Sequence, residues 1–305
     1  ANSSDRLESS LTDMPEPRAG EAALLRVFVD PAQSGEGGRG GNPVPLVLDA
    51  TGMSADAMRE LAARQGHESS FVLPPEDPAA HDWRLRFFVP GHEMEMCGHA
   101  TVGTLWALRQ WGRWTTPQAR VQTLSGSVDV SWDEARGWAW VSQPAATVQT
   151  LNDDQRDAIA RVLNIDPALP GLHVVNASTS RVKTLVRVPD AATLDAIVPD
   201  LGAVEALCDA IGSTGLYPYA LEATGATARQ FPKKSGYPED AATGIAAAAL
   251  WGYLHAHADR PVTFARDAPF TVREGVAMGA PSAIQVRARG DAPGCWLSGD
   301  VEWMR

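Results

Sequence analysis

Residues 98–111 read GHATVGTLWALRQW, a stretch of helical length and composition that is apolar or small almost all round. A helix with no polar face must be enclosed by other elements rather than mounted on a surface. A second stretch of this kind, TGIAAAALWGYLH, occupies residues 243–255, and the Leu105-Trp106 pair of the first recurs there as Leu250-Trp251. The recurrence hints at an internal duplication. Outward from the first helix, residues 24–29, 44–48, 69–73, 83–89, 121–130 and 138–141 have the apolar, β-branched runs of strands. Between them, Ser54 ahead of Met58, Leu61 and Ala62, with Gly66 closing the run, predicts a capped helix with one apolar face. Around the second helix the same grammar returns, with strands at 172–175, 183–188 and 215–220 and helices at 153–162, 191–198 and 201–211. The expected architecture is α/β, with a flexible tail over 1–23 and two similar domains over 24–147 and 148–305. The last strand is free to return to the first domain.

The 305 residues carry a formal charge of −11, which argues against a nucleic-acid or anionic-membrane partner because the surface would repel phosphate. No run reaches the roughly 18 apolar residues of a membrane span, and residues 1–23 lack the basic start and apolar core of a secretory signal. Cys97, Cys208 and Cys295 are an odd number at spacings that suit neither a disulfide framework nor a zinc cluster, so a reducing, cytoplasmic setting is expected. The Gly-rich run 35–41 lacks the Gly-Lys-Ser/Thr ending of a phosphate loop. His92, His173, His255 and His257 make no metal-ligand set.

Chemistry concentrates at the starts of the two enclosed helices: Cys97-Gly98-His99-Ala100-Thr101 in one half and Glu239-Asp240-Ala241-Ala242-Thr243-Gly244 in the other. Free N–H groups and the positive dipole end at a helix N-terminus bind a carboxylate, and small residues let it approach the backbone. A thiol at such an end is easier to ionise, which favours Cys97 as a base or nucleophile, although a small buried Cys is also a good packing residue. Glu68 stands just before an apolar strand, where partial burial would raise its pKa into the range useful for taking and returning a proton; it could equally be a helix cap or surface charge.

These blocks resemble the PhzF-like family, named for the phenazine-biosynthesis isomerase and related in fold to diaminopimelate epimerase and proline racemase. The resemblance runs from Leu24 to about Trp303. It is carried by Val27-Phe28-Val29-Asp30 with Gly41-Asn42-Pro43, by Glu68-Ser69-Ser70-Phe71-Val72, by Leu85 to Pro90 continuing through Glu93 to Thr101, by Ala228-Arg229 with Phe231, by Glu239 to Gly244, and by Gly275 to Gly279 with Pro281-Ser282. It implies two similar domains, each a curved, mostly antiparallel sheet around one central helix, with the active site between them. It further implies that Glu68 is the general acid/base of a proton shift that needs no metal, nucleotide or other cofactor. Gly98, His99 and Ala100, with Asn42, Thr243 and Gly244, would bind a small carboxylate-bearing substrate, and Asp240 would be a catalytic group on the opposing wall. Family members commonly pair as homodimers.

Ala241 and Ile245 depart from the Pro and Ser of the phenazine isomerase block, and Ile245 removes a hydroxyl that could bind substrate. The leading expectation is a cofactor-independent isomerase of a cyclic, unsaturated, amino-acid-derived intermediate of specialised (secondary) metabolism. An amino-acid racemase or epimerase pairing Cys97 with a carboxyl group is the alternative, and a binding protein that has lost turnover is the third. Glu93 and Arg229 fit structural ion pairs as well as substrate contacts.

Overall fold

The computed structural model describes residues 14–32, 40–257 and 268–304. The first part of the chain runs β1 (Ala22–Val29), β2 (Asn42–Val47), α1 (Ala55–Gln65), β3 (Ser69–Leu73), β4 (Trp83–Phe88), β5 (Glu93–Met94), α2 (Gly98–Gln110), β6 (Gln118–Thr123), β7 (Gly126–Asp133) and β8 (Trp138–Gln143). The second runs β9 (Thr147–Thr150), α3 (Asp153–Leu163), β10 (His173–Ser178), β11 (Val182–Arg187), α4 (Ala191–Asp195), α5 (Val204–Ile211), β12 (Gly215–Glu222), β13 (Gly225–Ala228) and β14 (Phe231–Pro232). It continues through α6 (Gly244–Ala256), β15 (Phe270–Glu274), β16 (Ser282–Ala288), β17 (Cys295–Ser298) and β18 (Asp300–Trp303).

The two parts share one topology. β1 and β2 are antiparallel, β2 and β3 parallel across α1, β3 and β4 antiparallel, β4 and β6 parallel across α2, and β6 to β8 form an antiparallel meander. In the same order, β10 and β11 are antiparallel, β11 and β12 parallel across α4 and α5, β12 and β13 antiparallel, β13 and β15 parallel across α6, and β15 to β17 antiparallel. The duplication hinted at by the two Leu-Trp pairs is thus written in the strand pairing. The parts are also sewn together, since β17 pairs with β8, β16 touches β1, and β18 runs antiparallel to β1.

Each sheet curves around its enclosed helix, α2 against β1, β2, β3 and β8, and α6 against β9, β10, β11 and β16. A Cβ on Gly103 would lie 2.6 Å from the Val27 side chain, so glycine there lets α2 sit close against β1. One apolar core containing Leu25, Leu105, Leu250 and Ile284 runs through both parts, with smaller clusters beneath α1 and beneath α3 and α5.

The expected ends of α1 hold: Ser54 Oγ accepts from the Ala57 amide at 3.0 Å, and Gly66 closes the helix in the left-handed region at φ 71°. Ser54→Ala is expected to cost about 1 kcal/mol in urea unfolding, because an orphan amide of the first turn loses its acceptor. The helix expected over 191–198 stops at Asp195, with Ile197 turning back to the Leu194 carbonyl in a tighter turn. The expected helix over 201–211 opens with a 3-10 turn at Leu201–Ala203. The stretch assigned to a flexible tail contributes structure from residue 14 on. Ala22 and Ala23 belong to β1, the Trp111 indole donates to the Met14 carbonyl at 2.8 Å, and Arg113 grips Glu16 through two bonds of 2.7 and 2.8 Å. The rest of that tail and residues 35–39 of the Gly-rich run lie outside the described residues. Among the described residues no helix is long and apolar enough to cross a membrane, and the three cysteines are buried free thiols.

Candidate active site

The N-terminal ends of α2 and α6 meet. A Cβ on Gly98 would lie 3.6 Å from the Gly244 Cα and 3.5 Å from the Ile245 nitrogen, and one on Gly244 would lie 3.0 Å from the Leu297 side chain and 3.1 Å from the Phe28 ring. Phe28 reaches this junction by an unusual backbone: it sits at a bulge of β1 opposite β18 with φ 64°, the left-handed region that a bulky residue seldom occupies. Beside the junction lies a cleft of about 270 Å³ bordered by Gly98, His99, Thr243, Gly244 and Ile245. The first-turn N–H groups of a helix have no intrahelical partner, so two positive helix ends border one space.

Gly66 turns the chain out of α1 and leaves Glu68 at the head of β3, where it lines the cleft. Its Oε2 accepts the Cys97 thiol at 3.0 Å and lies 3.3 Å from His99 Nε2, while its Oε1 accepts from the Tyr237 hydroxyl at 3.4 Å. Facing it is Asp240. Its Oδ1 accepts from the Asn42 amide at 2.8 Å, its Oδ2 accepts from the Thr243 hydroxyl, and its own N–H donates to the Gln230 carbonyl at 2.9 Å. The enclosed position of Asp240 raises its pKa, and the negative charge of Glu68 raises it further.

The expectation that the helix start would favour the Cys97 thiolate is not met. Burial raises the thiol well above its ordinary value, and the neighbouring Glu68 charge adds to the rise, so Cys97 is a neutral donor to Glu68. Two assigned substrate contacts also stand elsewhere. Ala100 is fully buried in the apolar core and does not border the cleft, because its position in the first turn of α2 faces the sheet. Asn42 does not border it either; its amide bridges Asp240 and the Ala242 carbonyl, so it holds the wall in place. Glu93 is taken up by Arg86 at 2.7 and 2.8 Å, and Arg229 by Glu239 at 2.8 and 3.2 Å. The Arg229 guanidinium also donates to the Leu194 and Ile197 carbonyls, which anchors the segment that delivers Asp240.

Several groups escaped the sequence reading. Glu274 is fully buried, accepts at 3.0 Å the amide of Thr243, the residue just ahead of α6, and is bonded by the Tyr217 hydroxyl; burial pushes its carboxyl well above the ordinary range. Its signal was available in the period-2 pattern Phe270, Val272, Glu274, which puts a carboxyl on an inward face. Tyr237, Lys183 and Gln230 line the cleft as well, brought there by chain segments that carry no helix-start motif. Ligand atoms of Glu68, Cys97 and His99 lie within 4.8 Å of one another, a donor set that a zinc-like ion could use.

Residues 36–294 match the family model described as phenazine biosynthesis-like protein, PhzC-PhzF. The chain belongs to the PhzC-PhzF family. An uncharacterised isomerase of Deinococcus radiodurans is 32% identical over 256 residues, covering 81% of each chain. The trans-2,3-dihydro-3-hydroxyanthranilate isomerase of Pseudomonas chlororaphis is 29% identical over 257 residues, 83% of this chain and 86% of that one. The crystal structure of a Bacillus anthracis PhzF-family protein superposes with a TM-score of 0.77 at 23% identity, covering 93% of this chain and 96% of that one. The expected fold therefore holds, and the chain takes its place among the PhzF-type isomerases. In this PhzC-PhzF protein the cleft lies where the two halves meet, with Glu68, Cys97 and His99 from the first and Asp240, Thr243 and Gly244 from the second.

Proposed function

We propose that this cleft performs a cofactor-independent proton shift on a small, carboxylate-bearing, cyclic and unsaturated amino-acid-derived compound. The observation that carries the reading is Glu68, a carboxyl group bordering a cleft beside two converging helix starts, its two oxygens addressed by Cys97, His99 and Tyr237. The substrate carboxylate binds at the first turns of α2 and α6, which draws charge out of the opened C–H bond into the conjugated system. Glu68 removes the proton from one carbon and returns it to another. Asp240, whose pKa is raised by its enclosure and by the neighbouring Glu68 charge, stands in the same cleft as the second carboxyl group. A ring of the kind named for the Pseudomonas relative fits this chemistry, with Ile245 offering it an apolar rather than a hydroxyl contact. A place in specialised metabolism, a cytoplasmic location and a homodimeric state complete the reading and rest on the family resemblance.

A racemase that pairs Cys97 with Glu68 is disfavoured by geometry: the two groups are hydrogen-bonded to each other and cannot serve opposite faces of one carbon. Cys97→Ala is accordingly expected to lower turnover by no more than about tenfold, the scale of one neutral hydrogen bond to the acid. A two-base racemase using Cys97 would lose several orders of magnitude in the same assay. The test of the whole reading is NMR in D2O with the purified protein and a panel of cyclic unsaturated amino acids, pyrroline carboxylates and saturated amino acids. Deuterium uptake or double-bond migration on an unsaturated ring supports the isomerase, and exchange at Cα of a saturated amino acid supports a racemase. A ligand that stabilises the protein against heat without any exchange supports a binding role.

A further inference from the structure

Lys183 is a buried cation that the proton shift leaves unused. It lies on β11, its residue is 4% exposed, and it borders the cleft. No carboxylate of the described residues lies within ion-pair distance of it, and its ammonium makes no hydrogen bond with them; Glu68, Asp240 and the Cys208 thiol act on it only through longer-range charge. Burial lowers its pKa to about 8, with Arg181 adding to the fall, which leaves it mostly protonated at neutral pH. Two other lysines at the cleft are engaged, Lys233 with Asp209 and Lys234 with Glu205, whereas Arg181 forms no ion pair among the described residues.

A second unmet group stands beside it. Thr184 pairs with Leu216 across the parallel β11–β12 ladder, so Lys183 shares a face with Gly215. A Cβ on Gly215 would lie 2.3 Å from the Gln230 amide nitrogen, so glycine is what allows that amide to lie over the sheet next to Lys183. Among the described residues Gln230 Oε1 is buried and has no hydrogen-bond partner, and as an acceptor it calls for a ligand's N–H or O–H rather than for an anion. A buried lysine without a counter-ion costs free energy until an anionic ligand meets it.

We propose that Lys183, with Arg181, forms a second anion-binding subsite in the cleft, and that the substrate is a diacid: an amino-acid-derived ring with a second carboxylate at the end away from the helix starts. The inference rests on the reading that the first carboxylate binds at those starts. A monoacid would neutralise one of the two positive sites and leave the other dry and unpaired. A diacid satisfies both and lies between them, with its ring presented to Glu68.

The test is isothermal titration of the purified protein with two flat probes, anthranilate and 2-aminoterephthalate, which is the same ring with a second carboxylate. The wild-type protein is expected to bind the diacid about tenfold or more tightly than the monoacid, the scale of a hydrogen bond to a charged group. Lys183→Met is expected to abolish that preference, and Lys183→Arg, which keeps the charge, to retain it. Equal affinity for the two acids, no saturable binding of the diacid, or a Lys183→Met variant that weakens both acids alike overturns the subsite. The two readings fail separately. Loss of preference leaves Glu68-dependent exchange standing, whereas absence of exchange on a bound ligand removes the proton shift and leaves the diacid preference in place.

Discussion

Glu68→Gln is expected to slow proton exchange by about 10²- to 10⁴-fold, the usual worth of a positioned general acid/base. The amide has nearly the shape of the carboxyl group: its oxygen can still accept from the Cys97 thiol, and its NH2, at the other position, can donate to the Tyr237 hydroxyl oxygen, so the surroundings that hold Glu68 survive the change in outline. What disappears is the ability to take and return a proton. Ligand affinity measured by titration is expected to change far less than turnover, because the helix starts that bind the carboxylate are untouched. Deuterium uptake at wild-type rates in this variant would remove Glu68 from the mechanism. Asp240→Asn is the informative companion: it preserves the Asn42 and Thr243 contacts in outline but abolishes the second titrating group that faces the cleft.

Phe28→Ala is expected to destabilise the protein by about 3–5 kcal/mol, the cost of emptying a fully buried phenylalanine site; alanine keeps its Cβ, so the left-handed backbone at this position is not relieved. The ring is the object against which Gly244 and Gly299 are small: their hypothetical Cβ atoms would lie 3.1 and 2.6 Å from it. Its removal takes away the support beneath the start of α6, so turnover should fall along with the urea midpoint. A Phe28→Ala protein as stable as the parent would mean that the junction repacks freely and that the strained bulge has no structural purpose.

The parts of the fold that could be read from the chain alone were those whose signals are local. Ser54 and Gly66 mark α1 because capping is decided within one turn, and the two all-apolar helices announce their enclosure by composition. Of the strands after residue 222, the sequence suggests only a last one free to return to the first domain, which is β18 against β1. β13 is Gly-Ala-Thr-Ala, and β17 and β18 are four residues each, too short for alternation to show. Their state is set by partners far away in the chain, β8 for β17 and β1 for β18. The candidate site divides in the same way. Glu68, Cys97, His99 and Asp240 stand next to turns and helix starts, where a short motif carries the information. Lys183 and Gln230 come from a strand and a strand edge, where one polar residue among apolar ones has no neighbouring cue. Ala100 was misplaced because a block of sequence does not tell which side of a helical turn looks into the cleft.

The pairing of β18 with β1 and of β17 with β8 has a consequence for the order of events on the ribosome. At roughly 5–20 residues per second, the segment between β8 and β18 takes roughly 8–30 s to synthesise. For all of that time the first half carries an open edge on β1 and another on β8, both awaiting strands that have not yet been made. An exposed strand edge is a template for pairing with other chains, so the nascent protein passes through an interval of adhesion that the finished fold conceals. Closing both edges with segments made after most of the second half therefore makes completion of the first half, and of the cleft beside it, wait on the second.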